Sequence, residues 1–196
     1  MRYLRWWGLG LLLMATVPLL AQNGWNNDAE QCAREDVTGD TAIMYCTRAI
    51  QSGQLSDVNL AVTLYNRGNT YMDMDQYQKA ADDFTAAMRF KQDASYYNNR
   101  GMCYRELKDF DRALADYNEA LRIDPQHAST FNNRGNLWRD RGQTDKAIAD
   151  YTEAIRLKPD YAKAYQNRCR SYRDKGWTDR ADADCAKADQ LSSQSH

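Results

Sequence analysis

NRGMCYRELKDFDRALADYNEA, residues 99–120, contains two short motifs that recur along the chain. The first motif is Asn-Arg-Gly with an aromatic residue three positions after the Gly. It recurs as NRGNTY (66–71), NRGNLW (133–138) and, with Cys in place of Gly, NRCRSY (167–172). The second motif recurs as KAADDFTAA (79–87), KAIADYTEA (146–154) and RADADCAKA (180–188). Because successive copies lie 33 or 34 residues apart and keep their order, the sequence predicts a row of equivalent structural units.

The spacing within each motif is that of one face of an α-helix. In the first clear copy, one stripe of a first helix carries Leu64, Gly68 and Tyr71, and one stripe of a second helix carries Ala80, Phe84 and Ala87. If the two helices are antiparallel, Gly68 faces Phe84, so the backbones approach closely and the ring fills the remaining space. One hairpin buries only one face by itself, which predicts that neighbouring hairpins stack.

This pattern of hairpins resembles the tetratricopeptide repeat. The resemblance implies an all-α fold in which about five antiparallel helix hairpins form a right-handed superhelix, and the absence of alternating Val, Ile and Thr runs agrees with it. We expect four repeats at about 60–93, 94–127, 128–161 and 162–191. A more divergent hairpin is expected at 26–59, with a first helix over about 26–36 and a turn at Thr38-Gly39.

The first 21 residues have the order of a secretory signal peptide. Arg2 and Arg5 precede an apolar run that ends in the small residue Ala21 and is short for a membrane span. We expect cleavage near Ala21, a linker at 22–25, a mature chain without a membrane span and a polar tail at 192–196; an uncleaved anchor is the alternative. Either outcome places the remaining residues outside the cytoplasm, so the chain is expected to be periplasmic or secreted.

Two pairs of cysteines occupy facing positions in the two end hairpins. Cys169 replaces the Gly of the first motif, and Cys185 replaces the aromatic residue that faces it. The same antiparallel pairing brings Cys32 opposite Cys46. In an oxidising compartment these positions predict the disulfides Cys32–Cys46 and Cys169–Cys185, with small buried thiols as the alternative. Cys103 is left over, and we expect an inert, partly buried thiol there or, as a minor alternative, a link to another chain.

The sequence contains no catalytic constellation, and it predicts neither an enzyme nor a cofactor or metal site. The only histidines are His127 and His196, and no CxxC motif, Gly-rich phosphate loop or nucleophile elbow is present. Charged residues recur in step with the repeat instead: Arg67, Arg100, Arg134 and Arg168 with Asp83, Asp116, Asp150 and Asp184. We interpret them as a structural ladder of ion pairs between helices.

The resemblance also implies a concave groove, lined by the first helices, that holds an extended peptide. The expected groove residues are Asn66, Asn69, Asn99, Arg105, Asn133, Asn136, Arg139, Asn167, Arg170 and Arg173. Asparagine amides suit a peptide backbone because they both donate and accept hydrogen bonds. The arginines suit acidic groups on a ligand, unless Arg139 and Arg173 pair with the neighbouring Asp140 and Asp174. The family's cationic set for a terminal carboxylate is not reproduced, since Asn98 and Asn167 occupy two of its positions.

These observations favour an exported, non-enzymatic scaffold that binds a peptide or protein segment. The alternatives are a self-associating assembly subunit of a cell-envelope complex and an accessory factor for cell-wall-active enzymes. A nucleic-acid partner is not expected, because 26 basic residues are balanced by 27 acidic residues.

Overall fold

The computed structural model describes residues 27–194, and within this range every regular element is a helix. The expected signal peptide and linker, residues 1–25, lie outside the described residues. Residues 27–32 form α1. The helices that follow are α2 (Gly39–Gln51), α3 (Asp57–Asp73), α4 (Tyr77–Ala87), α5 (Ala94–Glu106), α6 (Phe110–Ile123), α7 (Ala128–Asp140), α8 (Thr144–Leu157), α9 (Ala162–Asp174) and α10 (Thr178–Ser193). The prediction of an all-α fold is confirmed, and none of these helices is long and apolar enough to cross a membrane.

The helices pair in hairpins that stack into a superhelix. The most extensive contacts join α3 to α4, α5 to α6, α7 to α8 and α9 to α10. Across hairpins, the first helices also touch each other, α3 with α5, α5 with α7 and α7 with α9, whereas the described second helices α2, α4, α6, α8 and α10 make no such contacts with one another. The first helices therefore line the inner, concave side of the superhelix, and the second helices splay apart on the outer side.

The core of each middle hairpin is an aromatic ring pressed against a glycine. Phe84, Tyr117 and Tyr151 are fully buried in α4, α6 and α8. A Cβ atom placed on Gly135 would lie 2.6 Å from the ring of Tyr151, and the equivalent distances at the other two hairpins are 2.7 and 2.8 Å. The predicted close approach of the two backbones is therefore present, and a larger residue at the glycine would overlap the ring.

The two end hairpins hold cysteine pairs at disulfide-bond distance. The Cα atoms of Cys32 and Cys46 are 4.8 Å apart, and those of Cys169 and Cys185 are 5.5 Å apart. Cys103 is a free thiol and is completely buried, deeper than the partly buried position expected from the sequence. Burial raises the pKa of the Cys103 thiol to about 12.

Each turn between the two helices of the last four hairpins contains one residue with left-handed backbone. These residues are Asp75, Lys108, Gly142 and Gly176, with φ of 58°, 63°, 70° and 73°. In the third of these hairpins the amide of Gln143 donates to the carbonyl of Trp138 at 2.8 Å, a Schellman-type closure that recurs in the others. The last four hairpins therefore share one type of turn.

Three helix ends differ from the sequence-based boundaries. α1 stops at residue 32 rather than about 36. In the turn that follows, Arg34 and Asp36 form a two-bond ion pair, which residues two apart cannot make on a helix surface. α3 begins at Asp57, where the Ser56 hydroxyl accepts from the amide of Asn59 at 3.3 Å. α10 continues to Ser193, into the segment expected to be a tail.

Candidate binding groove

A ladder of arginines fixes the orientation of the first helices. In every one of the last four hairpins, an arginine of the first helix donates two hydrogen bonds of 2.7–2.9 Å to both oxygens of an aspartate on the second helix. The pairs are Arg67–Asp83, Arg100–Asp116, Arg134–Asp150 and Arg168–Asp184. The expected structural ladder is therefore present.

The same arginines also connect each hairpin to the one before it. The remaining terminal nitrogen of each guanidinium donates at 2.8–3.0 Å to a side-chain oxygen on the preceding second helix. The acceptors are Thr47, Thr85, Asn118 and Thr152. Because the planar guanidinium is held at three points, it fixes both the hairpin and the stacking of neighbouring hairpins.

On the concave side, six asparagines form one continuous chain of hydrogen bonds. Each side-chain amide donates to the carbonyl oxygen of the next, at 2.8–3.3 Å. The order is Asn167 to Asn132 to Asn133 to Asn98 to Asn99 to Asn69. We name this set the asparagine chain. It crosses four first helices, from α9 to α3, and its members Asn98 and Asn132 are buried.

A branch from this chain reaches His127, just before α7. The hydroxyl of Thr130 donates its single proton to Asn98 Oδ1 at 3.1 Å, and it lies 2.7 Å from His127 Nδ1. The contact between His127 Nδ1 and the Thr130 hydroxyl completes this branch. The start of α7 is thereby tied to the asparagine chain.

Two cavities lie along the groove. The larger, about 480 Å³, is lined by side chains of α5, α7 and α9: Asn98, Met102, Ser129, Asn132, Asn133, Asn136, Lys163, Gln166 and Asn167, together with Tyr161 before α9. The second, about 390 Å³, lies between the turn after α1 and α3 and includes Arg34, Glu35, Asn66, Asn69 and Asp73. The expected groove residues Asn66 and Asn69 therefore line one cavity, and Asn133, Asn136 and Asn167 line the other. Asn99 lies between them in the asparagine chain.

The four expected groove arginines have different surroundings. Arg105 is engaged by Asp140 of the next hairpin at 2.6 Å and by Glu106 at 2.9 Å. Arg173 lies 3.7 Å from Asp182. Arg139 and Arg170 have no ion pair within residues 27–194. The alternative pairing of Arg139 and Arg173 with Asp140 and Asp174 is not what the structure shows.

Two tyrosine hydroxyls in the hairpin cores behind the groove have unlike environments. Tyr151 donates to Asn136 Oδ1 at 2.8 Å, and burial raises its pKa to about 12. In the preceding hairpin the position of Asn136 is taken by Met102, and the buried Tyr117 hydroxyl has no hydrogen-bond partner. Burial raises the pKa of Tyr117 further. The sequence signal for the missing hydrogen bond was the residue that follows the repeat glycine, which is Asn136 in one hairpin and Met102 in the hairpin before it.

The described part of the chain contains no cluster of three or more His, Cys, Asp or Glu side chains placed to hold a metal ion. What the groove presents instead is a row of oriented amides between two cavities. Sequence reasoning found the asparagines but not their mutual bonding. Their recurrence at intervals of 34 or 35 residues, as in Asn98 and Asn133, was the available sign of contact between hairpins.

Comparisons with known proteins are consistent with this architecture. The mitochondrial import receptor subunit TOM34 of Pongo abelii is 25% identical over 119 residues, which are 60% of this chain and 38% of that protein. The aligned region thus spans well under half of that relative's length. A crystal structure of MamA is 25% identical with a TM-score of 0.66, covering 80% of this chain and 90% of that chain. The first TPR of Spaghetti (RPAP3), solved with a bound HSP90 peptide, shares the fold at 23% identity and a TM-score of 0.57, covering 61% of this chain and 95% of that chain.

Sequence models of the family match three consecutive segments, residues 61–93, 94–127 and 128–161. Together the segments cover just over half of the 196 residues, and they coincide with the hairpins α3–α4, α5–α6 and α7–α8. The motifs, the stacked hairpins and these matches agree, and the chain belongs to the tetratricopeptide repeat family.

Proposed function

We propose that this protein is an exported, non-enzymatic scaffold that binds an extended peptide or protein segment in the concave groove. The observation that carries the proposal is the asparagine chain beside the larger cavity. Asn98 is saturated by its neighbours, because its amide donates twice and its oxygen accepts twice. Asn132, Asn133 and Asn167, which line the larger cavity, each keep at least one N–H and one oxygen lone pair for a ligand. A peptide backbone offers the complementary acceptors and donors.

Pre-organisation supports the same proposal. The asparagine side chains are held by each other, and their helices are held by the arginine ladder. Binding would therefore cost little side-chain conformational entropy, since these rotamers are fixed before the ligand arrives. The groove residues that we assign to peptide contact are Asn66, Asn69, Asn99, Asn133, Asn136, Asn167, Arg139, Arg170 and Arg173, whereas Arg105 is engaged by Asp140 and supports the fold.

The relatives supply the precedent for such a role. The RPAP3 domain was solved with a bound HSP90 peptide, and TOM34 is a mitochondrial import receptor subunit. Both fit a protein-interaction scaffold. Export is supported by the signal-like residues 1–21 and by the two cysteine pairs at disulfide-bond distance, since disulfides persist in oxidising compartments. The route to self-association through Cys103 loses support, because that thiol is fully buried.

Site-specific photo-crosslinking tests the proposal. A photoreactive phenylalanine analogue replaces Ser129, which lines the larger cavity, and a matched variant carries it at the exposed Ala149 of α8. Irradiation in an envelope extract should give a discrete covalent adduct only from position 129. An excess of unlabelled protein should compete for it, and an excess of the Asn133→Ala, Asn167→Ala variant should not. Equal adducts from both positions, or adducts from position 149 alone, would refute groove binding.

Export is tested separately from binding. Residues 1–26 are fused to an alkaline phosphatase that becomes active only after its disulfides form outside the cytoplasm. We expect activity from this fusion and none when Arg2 and Arg5 are kept but the apolar run is interrupted by charged residues. Absence of activity in both fusions, or equal activity in both, would contradict the expected compartment.

A further inference from the structure

Most basic side chains in the described part of the chain have a partner. They contact an acidic group, hydrogen-bond to an amide or lie over an aromatic ring, as Lys146 lies 4.5 Å from the Trp138 ring centroid. Among residues 27–194, the exceptions are Arg89, Lys108, Arg139, Lys163 and Arg170. Because the other basic side chains are paired, these five are the ones available to pair with acidic groups of a ligand.

Three of the five unpaired cations lie in the lining of the larger cavity or on the helices next to it. Lys163 lines it directly. Arg170 follows Cys169 on α9, in the same repeat position as the cavity-lining Asn136 on α7. Arg139 lies about one helical turn after the cavity-lining Asn136 on the same helix, α7. The half of the groove formed by α7 and α9 therefore carries a concentrated positive charge.

The nearby carboxylates do not cancel this charge. Asp140 is already held by Arg105, and Asp184 is held by Arg168 on the far side of α9. Within residues 27–194, Asp160 before α9 and Asp174 near its end also have no ion pair, which leaves the three cations in excess. The smaller cavity has the opposite character, because Glu35 and Asp73 line it and Arg34 is neutralised by Asp36. The groove is thus positive at α7–α9 and negative beside α3.

We propose that the α7–α9 half of the groove selects extended peptide segments that carry Asp or Glu side chains, with those residues placed over α7–α9 and excluded from the region beside α3. This inference rests on the proposed function and adds the chemistry of the partner. Charge complementarity is its basis: the three cations gain partners on binding, and an acidic residue beside Glu35 and Asp73 would be repelled. Oriented amides along the asparagine chain hold the backbone between acidic side chains.

A peptide array provides the test. The probes are acetylated, C-terminally amidated peptides of one length, in which Ala, Ser and Asn are combined with increasing numbers of Asp and Glu or of Lys. We expect the wild-type protein to bind more strongly as acidic residues are added and to bind Lys-rich peptides least. The variant Lys163→Gln, Arg170→Gln should bind the acidic peptides about tenfold more weakly and the neutral peptides unchanged, since exposed ion pairs contribute modestly and are screened by salt.

The matched control is Arg89→Gln, Lys108→Gln, which removes two unpaired cations from outside the groove and changes the net charge equally. It should bind as the wild type does. A second array with free C-terminal carboxylates separates side-chain acids from a terminal carboxylate: side-chain recognition predicts the same ranking on both arrays. Binding that is independent of peptide charge, or equal losses in both variants, overturns the inference but leaves groove binding intact. Failure to bind any peptide overturns the proposed function as well.

Discussion

Arg134 joins three helices through one guanidinium: it donates to both oxygens of Asp150 on α8 and to Asn118 Oδ1 on α6, all at 2.8 Å. The Arg134 side chain is only 21% exposed to solvent, and the Asp150 side chain only 10%. Such a pair is difficult to replace because removal of one member leaves the other charge buried without a partner. The arginine ladder therefore links the fold within a hairpin to the stacking between hairpins.

Arg134→Ala should lower the free energy of unfolding by about 3 kcal/mol, because Asp150 loses both of its bonds in a largely buried position. Arg156→Ala is the matched control, since Arg156 pairs with Glu153 on the surface of one helix with 65% of its side chain exposed. The control should cost less than about 1 kcal/mol. Urea unfolding followed by circular dichroism measures both, and equal effects of the two variants would contradict a structural ladder.

Gly135→Ala should destabilise the fold by about 1–3 kcal/mol, because the added methyl group would meet the Tyr151 ring at 2.6 Å in a packed core. Gly142→Ala tests a different effect, since Gly142 has open space around its Cβ position but a φ of 70°. That variant should cost about 1 kcal/mol through backbone conformation alone. Pairing each variant with Tyr151→Leu distinguishes them: the smaller side chain should relieve part of the cost at position 135 and none at position 142.

Tyr151→Phe should cost about 1 kcal/mol, because Asn136 loses the hydroxyl that donates to it. Tyr117→Phe should be neutral or stabilising, since it removes a buried hydroxyl that has no partner. The two tyrosines occupy equivalent repeat positions, and Phe84 already fills that position in the hairpin before them. Thermal unfolding of both variants is sufficient, and an equal loss in the two would show that the Tyr117 hydroxyl is bonded after all.

Alkylation of unfolded, unreduced protein followed by mass spectrometry should leave Cys32, Cys46, Cys169 and Cys185 unmodified. Reduction should lower the free energy of unfolding by about 3 kcal/mol for each pair, because the loops they close span sequence separations of 14 and 16 residues. Replacement of each pair by two alanines gives the separate contributions. Free thiols at these four positions would contradict the pairing.

Cys103 should resist alkylation in the folded protein at neutral pH and react once the protein is unfolded, since it is buried and its pKa is raised to about 12. The raised pKa means that the folded state keeps the thiol neutral while the unfolded state ionises it near pH 9. The stability contributed by this group is therefore complete below about pH 9 and is lost as the pH rises toward 12, by up to about 1.4 kcal/mol per pH unit. Cys103→Ala should show a shallower alkaline loss than the wild type, although buried tyrosines contribute to both.

Contacts inside a hairpin were predictable from the sequence. Helical periodicity and an antiparallel arrangement together place Gly68 opposite Phe84, Cys169 opposite Cys185 and each ladder arginine near its aspartate. These contacts depend only on residue spacing and on one geometric rule. The same rule applied to the divergent first hairpin brought Cys32 opposite Cys46, although α1 is shorter than expected.

Contacts between hairpins were not predictable in the same way. Which amide bonds to which depends on the rotation of one hairpin against the next, and residue spacing does not determine that rotation. For this reason the bond from Arg105 to Asp140, the order of the asparagine chain and the unpaired hydroxyl of Tyr117 emerged only from the three-dimensional structure. The assignment of particular groove residues to a ligand stays a prediction.

The asparagine chain also gives the concave surface a direction. Every carboxamide in it points its nitrogen toward the next oxygen, so the small dipoles add from Asn167 to Asn69 and reversal of one group would break the bonds on both sides of it. A peptide strand is also directional, because reversing it changes the order in which its carbonyl and amide groups meet the asparagine side chains. We therefore expect the groove to favour one direction of a bound peptide over the other, even before any side chain is recognised.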